Sequence, residues 1–301
     1  MGRPRDRARP DRTSAVSRPV RLIAPAKVNL TLEIVGKYPD GYHELRSVFA
    51  TIDLADRVRV AAGTRLDVQL RPDPGAPPGR ELTERAVEAL AAATGRPAHA
   101  HVRVAKRIPV AAGLGGGSSD AGAALRALAR LWRADLDLVH VAASLGSDVP
   151  FFAAGSGFAL VEGRGERVRS LTPPTVRLWI VLVRVAARVA TADVFGAVRR
   201  DEWSDGSRSA ALARAFDEGR VDPDTIRAQL GNDLADAAAR VCREIGEVRL
   251  IAGGKGVTLA LSGSGPSLFA VADDQRDALR LARILRGQGL DAKARALGAA
   301  S

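Results

Sequence analysis

Hydrophobic and polar positions change period repeatedly along this chain, and each change marks an element. Folded sequence begins near Val20. Residues 28–35 alternate in part and predict a strand, and 36–41 hold Pro39-Asp40-Gly41, a turn signal. Residues 45–53 and 65–71 predict two more strands, 73–79 a loop (DPGAPPG), and 81–94 a helix stopped by Gly95. Residues 100–108 (AHVRVAKRI) alternate and predict a strand. Ala121, Ala124, Leu125, Leu128, Leu131 and Trp132 then recur at three-four spacing, the stripe of an amphipathic helix. A helix over 136–145 stops at Gly146, and 157–170 predict a hairpin around Gly163-Arg164-Gly165. Pro173-Pro174 is the best candidate domain boundary, separating a unit over 20–172 from one over 173–301. Beyond it, 176–185 predict a strand and 191–245 are mostly helical. Residues 257–261 and 267–272 predict two short strands about a Gly-rich turn. Ala278, Leu281, Ala282 and Leu285 mark a last amphipathic helix, and 290–297 a final strand. Strands and helices mix without strict alternation, so the fold class is α+β.

Composition narrows the class. A length of 301 residues suits one large domain or two ordinary ones, and 46% apolar with 26% charged residues argues against global disorder. The net charge of +11 is less informative than it looks. Five lysines stand against 40 arginines and asparagine occurs only twice, so part of the basicity reflects codon composition. Residues 1–21 hold seven Arg and two Asp, and 1–19 are expected to be a disordered basic tail. That tail lacks the apolar core of a secretory signal. Aromatics are only 4% and no basic-aromatic stripe appears, so no nucleic-acid partner is expected; the pI near 10.9 is what keeps a nucleic-acid-binding protein as the rival class. The longest strongly apolar run, Trp179 to Val183, is far short of a membrane span, so no membrane partner is expected. The single cysteine, Cys242, excludes an intrachain disulfide and a cysteine-rich zinc site. The expected setting is cytoplasmic, as a monomer or weak homodimer.

Five stretches carry candidate chemistry. The most unusual is 109–122, PVAAGLGGGSSDAG. Gly113, Gly115, Gly116 and Gly117 allow close backbone approach to a ligand, and a Ser at the N-cap of the following helix leaves N–H groups free for an anion. The run suits phosphate. It is not a Walker A loop, because no Lys follows the glycines, nor a dinucleotide fingerprint. Lys27 and Asn29 lie two apart on a predicted strand and share a face. On pattern alone that face is simply solvated, although Lys and Asn together also suit an anionic or hydroxylated ligand. Tyr42 and His43 sit at a turn, where they are equally a surface hairpin or a clamp for a planar base. Asp148, in LGSDVPFF, either caps the next element or orients a substrate hydroxyl. Ser262-Gly263-Ser264-Gly265 is a β-turn able to approach an anion. His99, His101 and His140 have no metal-ligand spacing and are read as structural.

The order of these pieces is more specific than any one of them. Lys-x-Asn, then Pro-x-x-x-Gly-Leu-x-x-x-Ser-Ser, then Leu-Gly-Ser-Asp-Val-Pro, then Ser-Gly-Ser-Gly resembles the GHMP kinases, from about residue 20 to 297. Residues 25–56 further resemble those members whose substrate is a cytidine diphosphate derivative; homoserine and mevalonate kinases are the alternatives within the family. The resemblance implies a two-domain α+β kinase with a β-rich N-terminal domain, a ferredoxin-like C-terminal domain and an active site between them. It implies ATP as cosubstrate and Mg²⁺, with phosphorylation of a substrate hydroxyl in isoprenoid-precursor synthesis. It makes Lys27 and Asp148 the catalytic pair and places Asn29 beside the substrate. Pro109, Val110, Ala111, Ala112, Gly113, Leu114, Gly115, Gly116, Gly117, Ser118 and Ser119 would cradle the ATP phosphates. Tyr42 and Phe195 would sandwich the cytosine while His43 reads its edge, and Gly263, Ser264 and Gly265 would approach the substrate phosphates. Two departures stand out: Glu81 where the family carries Asn beside the nucleoside, and 185–190 without the family's Gly or Pro. No acidic Mg²⁺ ligand emerges, which leaves Ser118 as the candidate on this chain.

Overall fold

A computed structural model describes residues 18–72 and 79–299. One strand organises the first sheet. β3 (His43–Ala62) runs 20 residues, and every other long strand of that sheet pairs with it or with its neighbour. β1 (Val20–Asn29) and β2 (Thr31–Lys37) pair with it antiparallel, as do β5 (Ala100–Ala105) and β6 (Phe158–Gly163). β4 (Leu66–Arg71) adds parallel to β5, and β7 (Arg167–Ser170) closes the predicted hairpin with β6. Alternation sets the faces. Val58, Val60, Val68, Leu70, Val102 and Val104 turn inward onto α1 (Gly79–Thr94) and α2 (Gly116–Trp132), where Ala121, Ala124, Leu125 and Leu128 are fully buried. Two short helices follow, α3 (Leu138–Ala142) and α4 (Val149–Ala154).

The second sheet has the order β10-β11-β8-β12. β8 (Trp179–Arg184) is followed by the helices α5 (Thr191–Ala197), α6 (Ser207–Asp217), α7 (Pro223–Gln229), α8 (Ala235–Val241) and α9 (Arg243–Gly253). Then come β10 (Ala260–Leu261), β11 (Leu268–Ala272), α10 (Gln275–Arg286) and β12 (Asp291–Ala296). All pairings are antiparallel. This is the split βαβ arrangement of a ferredoxin-like unit.

Several boundaries differ from the sequence expectation. The strand expected over 28–35 is two strands parted at Leu30, whose N–H bonds to the Val48 carbonyl. The strand expected over 45–53 continues to Ala62, because a buried-exposed alternation persists through Asp56 and Arg57 despite their charge. The helix expected over 136–145 is five residues long, capped by the Asp137 side chain at the Val139 and His140 N–H groups. The strand expected over 257–261 keeps only its last two residues. The basic tail up to residue 17 and the loop over 73–78 lie outside the described residues.

The two sheets share one core. Gly231–Asn232 (β9) pairs parallel with β2, so the second half of the chain lends a strand to the first sheet. Val28, Ile52 and Phe158 pack with Ile180, Phe216 and Phe269 in a single cluster, and Ile52 bridges to Leu297. The Phe158 and Phe216 rings lie 4.9 Å apart. Because these side chains hold both sheets, unfolding should be a single transition. Phe216→Ala should cost about 3–5 kcal/mol without splitting it. Urea unfolding followed by fluorescence and circular dichroism checks both points, and two separated transitions would contradict the shared core.

Candidate active site

The cavity between the sheets has a volume of about 430 Å³. Its centre is Lys27, 3% exposed near the end of β1. Two residues on, the Asn29 side chain accepts from Lys27 Nζ at 2.7 Å and donates to Ser47 Oγ at 3.0 Å. Ser47 in turn donates to the Thr31 carbonyl. The shared strand face of Lys27 and Asn29 is therefore buried, not solvated. Phe49 backs the ammonium, 4.8 Å from its ring centre. Facing it, Asp148 Oδ2 lies 3.4 Å from Lys27 Nζ. Asp148 is the N-cap residue of α4, yet its side chain makes no capping bond. The chain uses it as a cap position while its carboxylate, 29% exposed, remains available in the cavity.

The Gly-rich loop covers this pair. Lys27 N–H donates to the Leu114 carbonyl at 3.0 Å, fixing loop to strand. Ala111, Gly113 and Gly115 have φ of 55°, 71° and 68°, a left-handed backbone that for Ala111 is strained. Gly115, not a serine, is the N-cap of α2. Helix geometry leaves the first-turn N–H groups of Gly116, Gly117 and Ser118 without helical partners, and all three residues line the cavity. Ser119 does not. It is 1% exposed, its hydroxyl donates to the Pro25 carbonyl at 2.7 Å and its N–H to the Gly115 carbonyl. The expected Ser cap and the expected phosphate role of Ser119 are corrected on this point, because a glycine at φ 68° starts the helix earlier.

The Gly/Ser turn from the second sheet closes the other side. Ser262 Oγ donates to the Gly113 carbonyl at 3.1 Å, and Ser267 N–H to the Ala112 carbonyl at 3.3 Å. Asn232 holds the turn by donating to the carbonyls of Leu261 and Gly263 at 2.9 and 2.8 Å. Thr191 and Ser264 hydroxyls meet at 3.0 Å. Gly263 and Ser264 line the cavity; Gly265 is turned toward Leu261 and Ile245.

The aromatic end is arranged differently from expectation. Phe195 lines the cavity, and its ring stacks on His43 at 5.3 Å. Trp203 meets His43 edge-on at 5.2 Å. Burial, reinforced by Lys37, holds His43 below the usual imidazole range, so near pH 7 it is neutral and offers one donor and one acceptor. Tyr42 is 60% exposed under the Arg164 guanidinium, which also pairs with Asp40 at 2.5 Å. Tyr42 and Phe195 are thus not brought face to face.

One part of the site escaped the sequence reading. Lys106, on the cavity wall, bonds Asp56 at 2.5 Å and Asp120 at 2.6 Å, with both carboxylates fully buried. Asp56 also accepts from the Arg107 and Ile108 N–H groups, pinning the entrance of the glycine loop. Leu70 and Leu82 complete this wall, while Glu81 is exposed in the first turn of α1. Burial pushes Asp120 up to about 8, against the attraction of Lys106 and with the repulsion of Asp56. Three ionisable groups with one ammonium leave a surplus carboxylate, and a proton on Asp120 neutralises it.

With this geometry in place, similarity to known proteins becomes specific. Residues 81–156 match the family model for the GHMP kinases N terminal domain, and residues 212–290 that for the GHMP kinases C terminal. A homoserine kinase from Cytophaga hutchinsonii has the same fold, with a TM-score of 0.71 at 16% identity over 96% of both chains. A crystal structure of 4-(cytidine 5'-diphospho)-2C-methyl-D-erythritol kinase superposes with a TM-score of 0.74 at 37% identity, covering 93% of this chain and 99% of that one. The 4-diphosphocytidyl-2-C-methyl-D-erythritol kinase of Pelotomaculum thermopropionicum is 42% identical, covering 87% of this chain and 92% of that protein. That of Polaromonas naphthalenivorans is 39% identical, over 87% and 90%. The chain belongs to the GHMP kinase family and, within it, to the 4-diphosphocytidyl-2-C-methyl-D-erythritol kinases.

Two outcomes test the site's construction. A Cβ on Gly113 would stand 2.5 Å from the Gly265 carbonyl oxygen and 2.7 Å from that of Ser262. Gly113→Ala should therefore displace the loop and lower kcat/KM by about 10²-fold in steady-state assays, while the fold persists by circular dichroism. The second concerns Asp120, whose folded value near 8 exceeds the ordinary 3.8. Between those values the folded protein keeps a proton that the unfolded chain releases, so this group's contribution to stability falls as pH rises. Asp120→Asn should flatten that decline between pH 5 and pH 8 in urea unfolding; an unchanged slope would remove the proton from Asp120.

Proposed function

We infer that this chain catalyses ATP-dependent phosphorylation of the C2 hydroxyl of 4-diphosphocytidyl-2-C-methyl-D-erythritol, giving the 2-phosphate, in non-mevalonate isoprenoid-precursor synthesis. The observation that carries the mechanism is the placement of Lys27 and Asp148, 3.4 Å apart, beneath a helix N-terminus in the same cavity as Phe195. Sequence identity of 42% to one such kinase favours this substrate over homoserine or mevalonate.

The residues divide the work by position. The α2 N-terminus and loop 109–118 receive the triphosphate, with the helix dipole and free N–H groups opposing its charge. The substrate hydroxyl lies against Asp148. Its oxygen attacks the γ-phosphorus, the bond from that phosphorus to the bridging oxygen breaks, and the hydroxyl proton passes to Asp148 as ADP leaves. Lys27 offsets charge on the transferred group. Asn29 and Ser47 hold the ammonium in place, so positioning and charge stabilisation dominate, as a loose transition state requires. Neutral His43 presents one donor and one acceptor to the cytosine edge, and Phe195 supplies an aromatic face. Gly263 and Ser264 suit the diphosphate, where a glycine backbone permits close approach.

Among the described residues no cluster of three acidic, His or Cys side chains forms a metal cage. One carboxylate, Asp148, lines the cavity with the hydroxyls of Ser118 and Ser147, a donor set that fits Mg²⁺ carried on nucleotide oxygens. Bound there, the metal would neutralise phosphate charge. No helix among the described residues is long and apolar enough to cross a membrane. Dependence on ATP is what supports a cytoplasmic setting.

A coupled ADP-release assay with Mg²⁺, comparing the cytidine substrate, homoserine and mevalonate, tests the reading. Turnover is expected with the cytidine substrate alone. Asp148→Ala should lower kcat by about 10²- to 10⁴-fold and change the KM for ATP little. His43→Ala should raise the KM for the cytidine substrate far more than that for ATP. Equal losses toward both substrates would remove His43 from the nucleobase subsite.

A further inference from the structure

The outer face of the first sheet carries charge that the kinase reaction does not use. β1, β3, β5 and β4 lie side by side there, and over 21–23, 57–61, 101–105 and 67–71 their odd-numbered residues point outward. The register sets Arg21 opposite Arg59, Arg59 opposite Arg103, and Arg103 opposite Gln69. One step along, Ala105 lies between Arg57 and Arg71. The result is a groove of about 590 Å³ in which an exposed alanine forms a low floor among arginines. Lys106, the next residue after Ala105, turns to the opposite face and the kinase cavity.

Arg169, Arg227 and Arg240 each pair with a carboxylate. Arg21, Arg57, Arg59, Arg71 and Arg103 have no carboxylate partner among the described residues. Other arginines also lack a carboxylate among those residues, such as Arg85, Arg177 and Arg200, but they stand on separate elements, and these five share one groove. Asp67, on the same face, is engaged by His101 at 3.3 Å and Gln69 at 3.1 Å. Like charges directly opposite one another weaken a sheet. A codon bias toward arginine explains their number, not their concentration in one groove where no described carboxylate pairs with them.

We propose that this groove is a second ligand site, for a compact molecule carrying two or more linked phosphates. The guanidinium fork matches phosphate oxygens bidentately. A volume near 590 Å³ is that of a small-molecule site. No aromatic side chain lines the groove, so it grips phosphate and not a base. The charge is confined to two short rows across four strands, about 15 Å, with Ile23 and Ala105 exposed among them, and is shorter than the track a nucleic-acid backbone follows.

The test uses the full chain saturated with Mg²⁺, a non-hydrolysable ATP analogue and the cytidine substrate, so that both phosphate-binding parts of the kinase cavity are filled. Isothermal titration with inorganic tripolyphosphate should then reveal one further site. Arg59→Ala/Arg103→Ala should weaken it by at least about tenfold and leave turnover of the kinase substrate unchanged. Arg57→Ala/Arg71→Ala, on the other flank, should weaken it likewise, which guards against misfolding of either variant. The basic segment before residue 18 is common to all three proteins and cannot produce the difference. Equal affinity in wild type and both variants would overturn the proposal. So would a single-stranded oligonucleotide that binds more tightly than tripolyphosphate and is not displaced by it, which would make the face a nucleic-acid surface.

Discussion

The site depends on two backbones meeting where no side chain fits. Loop 109–117 belongs to the first sheet and turn 262–265 to the second, and they touch at Gly113, Ser262 and Gly265. That contact sets the width of the cavity. It also carries the Leu114 carbonyl to the Lys27 N–H, so the Lys27 strand is registered against the glycine loop. A flexible side chain at this junction would hold the loops apart and uncouple the two halves. The shared core behind it, Phe158 on Phe216 and Ile52 beside Leu297, keeps the junction from drifting. Precision at the reacting atoms is thus supplied by hydrogen-bonded backbone, which has few ways to move.

How much of this was legible beforehand follows from how local each signal is. Three glycines between a strand and a helix announce a backbone surface, whatever the tertiary context. Lys27 and Asn29 show their common face through spacing alone, and Asp148 its position after a helix stop. Burial is not local, and there the sequence reading stops short. Lys106, Asp56 and Asp120 meet across 50 and 14 residues, and nothing near either aspartate marks it as sealed. Ser119 illustrates the same limit. Its neighbour Ser118 faces the cavity, and a single residue's rotation around a helix that begins at Gly115 sends Ser119 to Pro25 instead. The length of β3 was hidden for a related reason. A buried aspartate in mid-strand looks like a strand end until Lys106 and two backbone N–H groups are seen to satisfy it.

The two ends of the cavity are built on different physics. At the phosphate end, Lys27 and its hydrogen-bonded neighbours are almost fully buried, and the donors are aimed before any ligand arrives. Preorganised dipoles of this kind need no rearrangement as charge moves during transfer. At the aromatic end, His43 and Phe195 are already stacked on each other. Their 5.3 Å separation leaves no space for a base between the rings, so a base stacked there would have to part them first. Tyr42 begins from a still more open position, held by Arg164 and, through it, Asp40. On the function proposed above, a base held here would replace ring contacts of similar energy, and the hydrogen-bonding edge of a neutral His43 would decide between bases. An enzyme assembled this way separates its tasks. On the proposed function, the rigid end would govern how fast phosphate moves, and the adjustable end which alcohol is held in front of it.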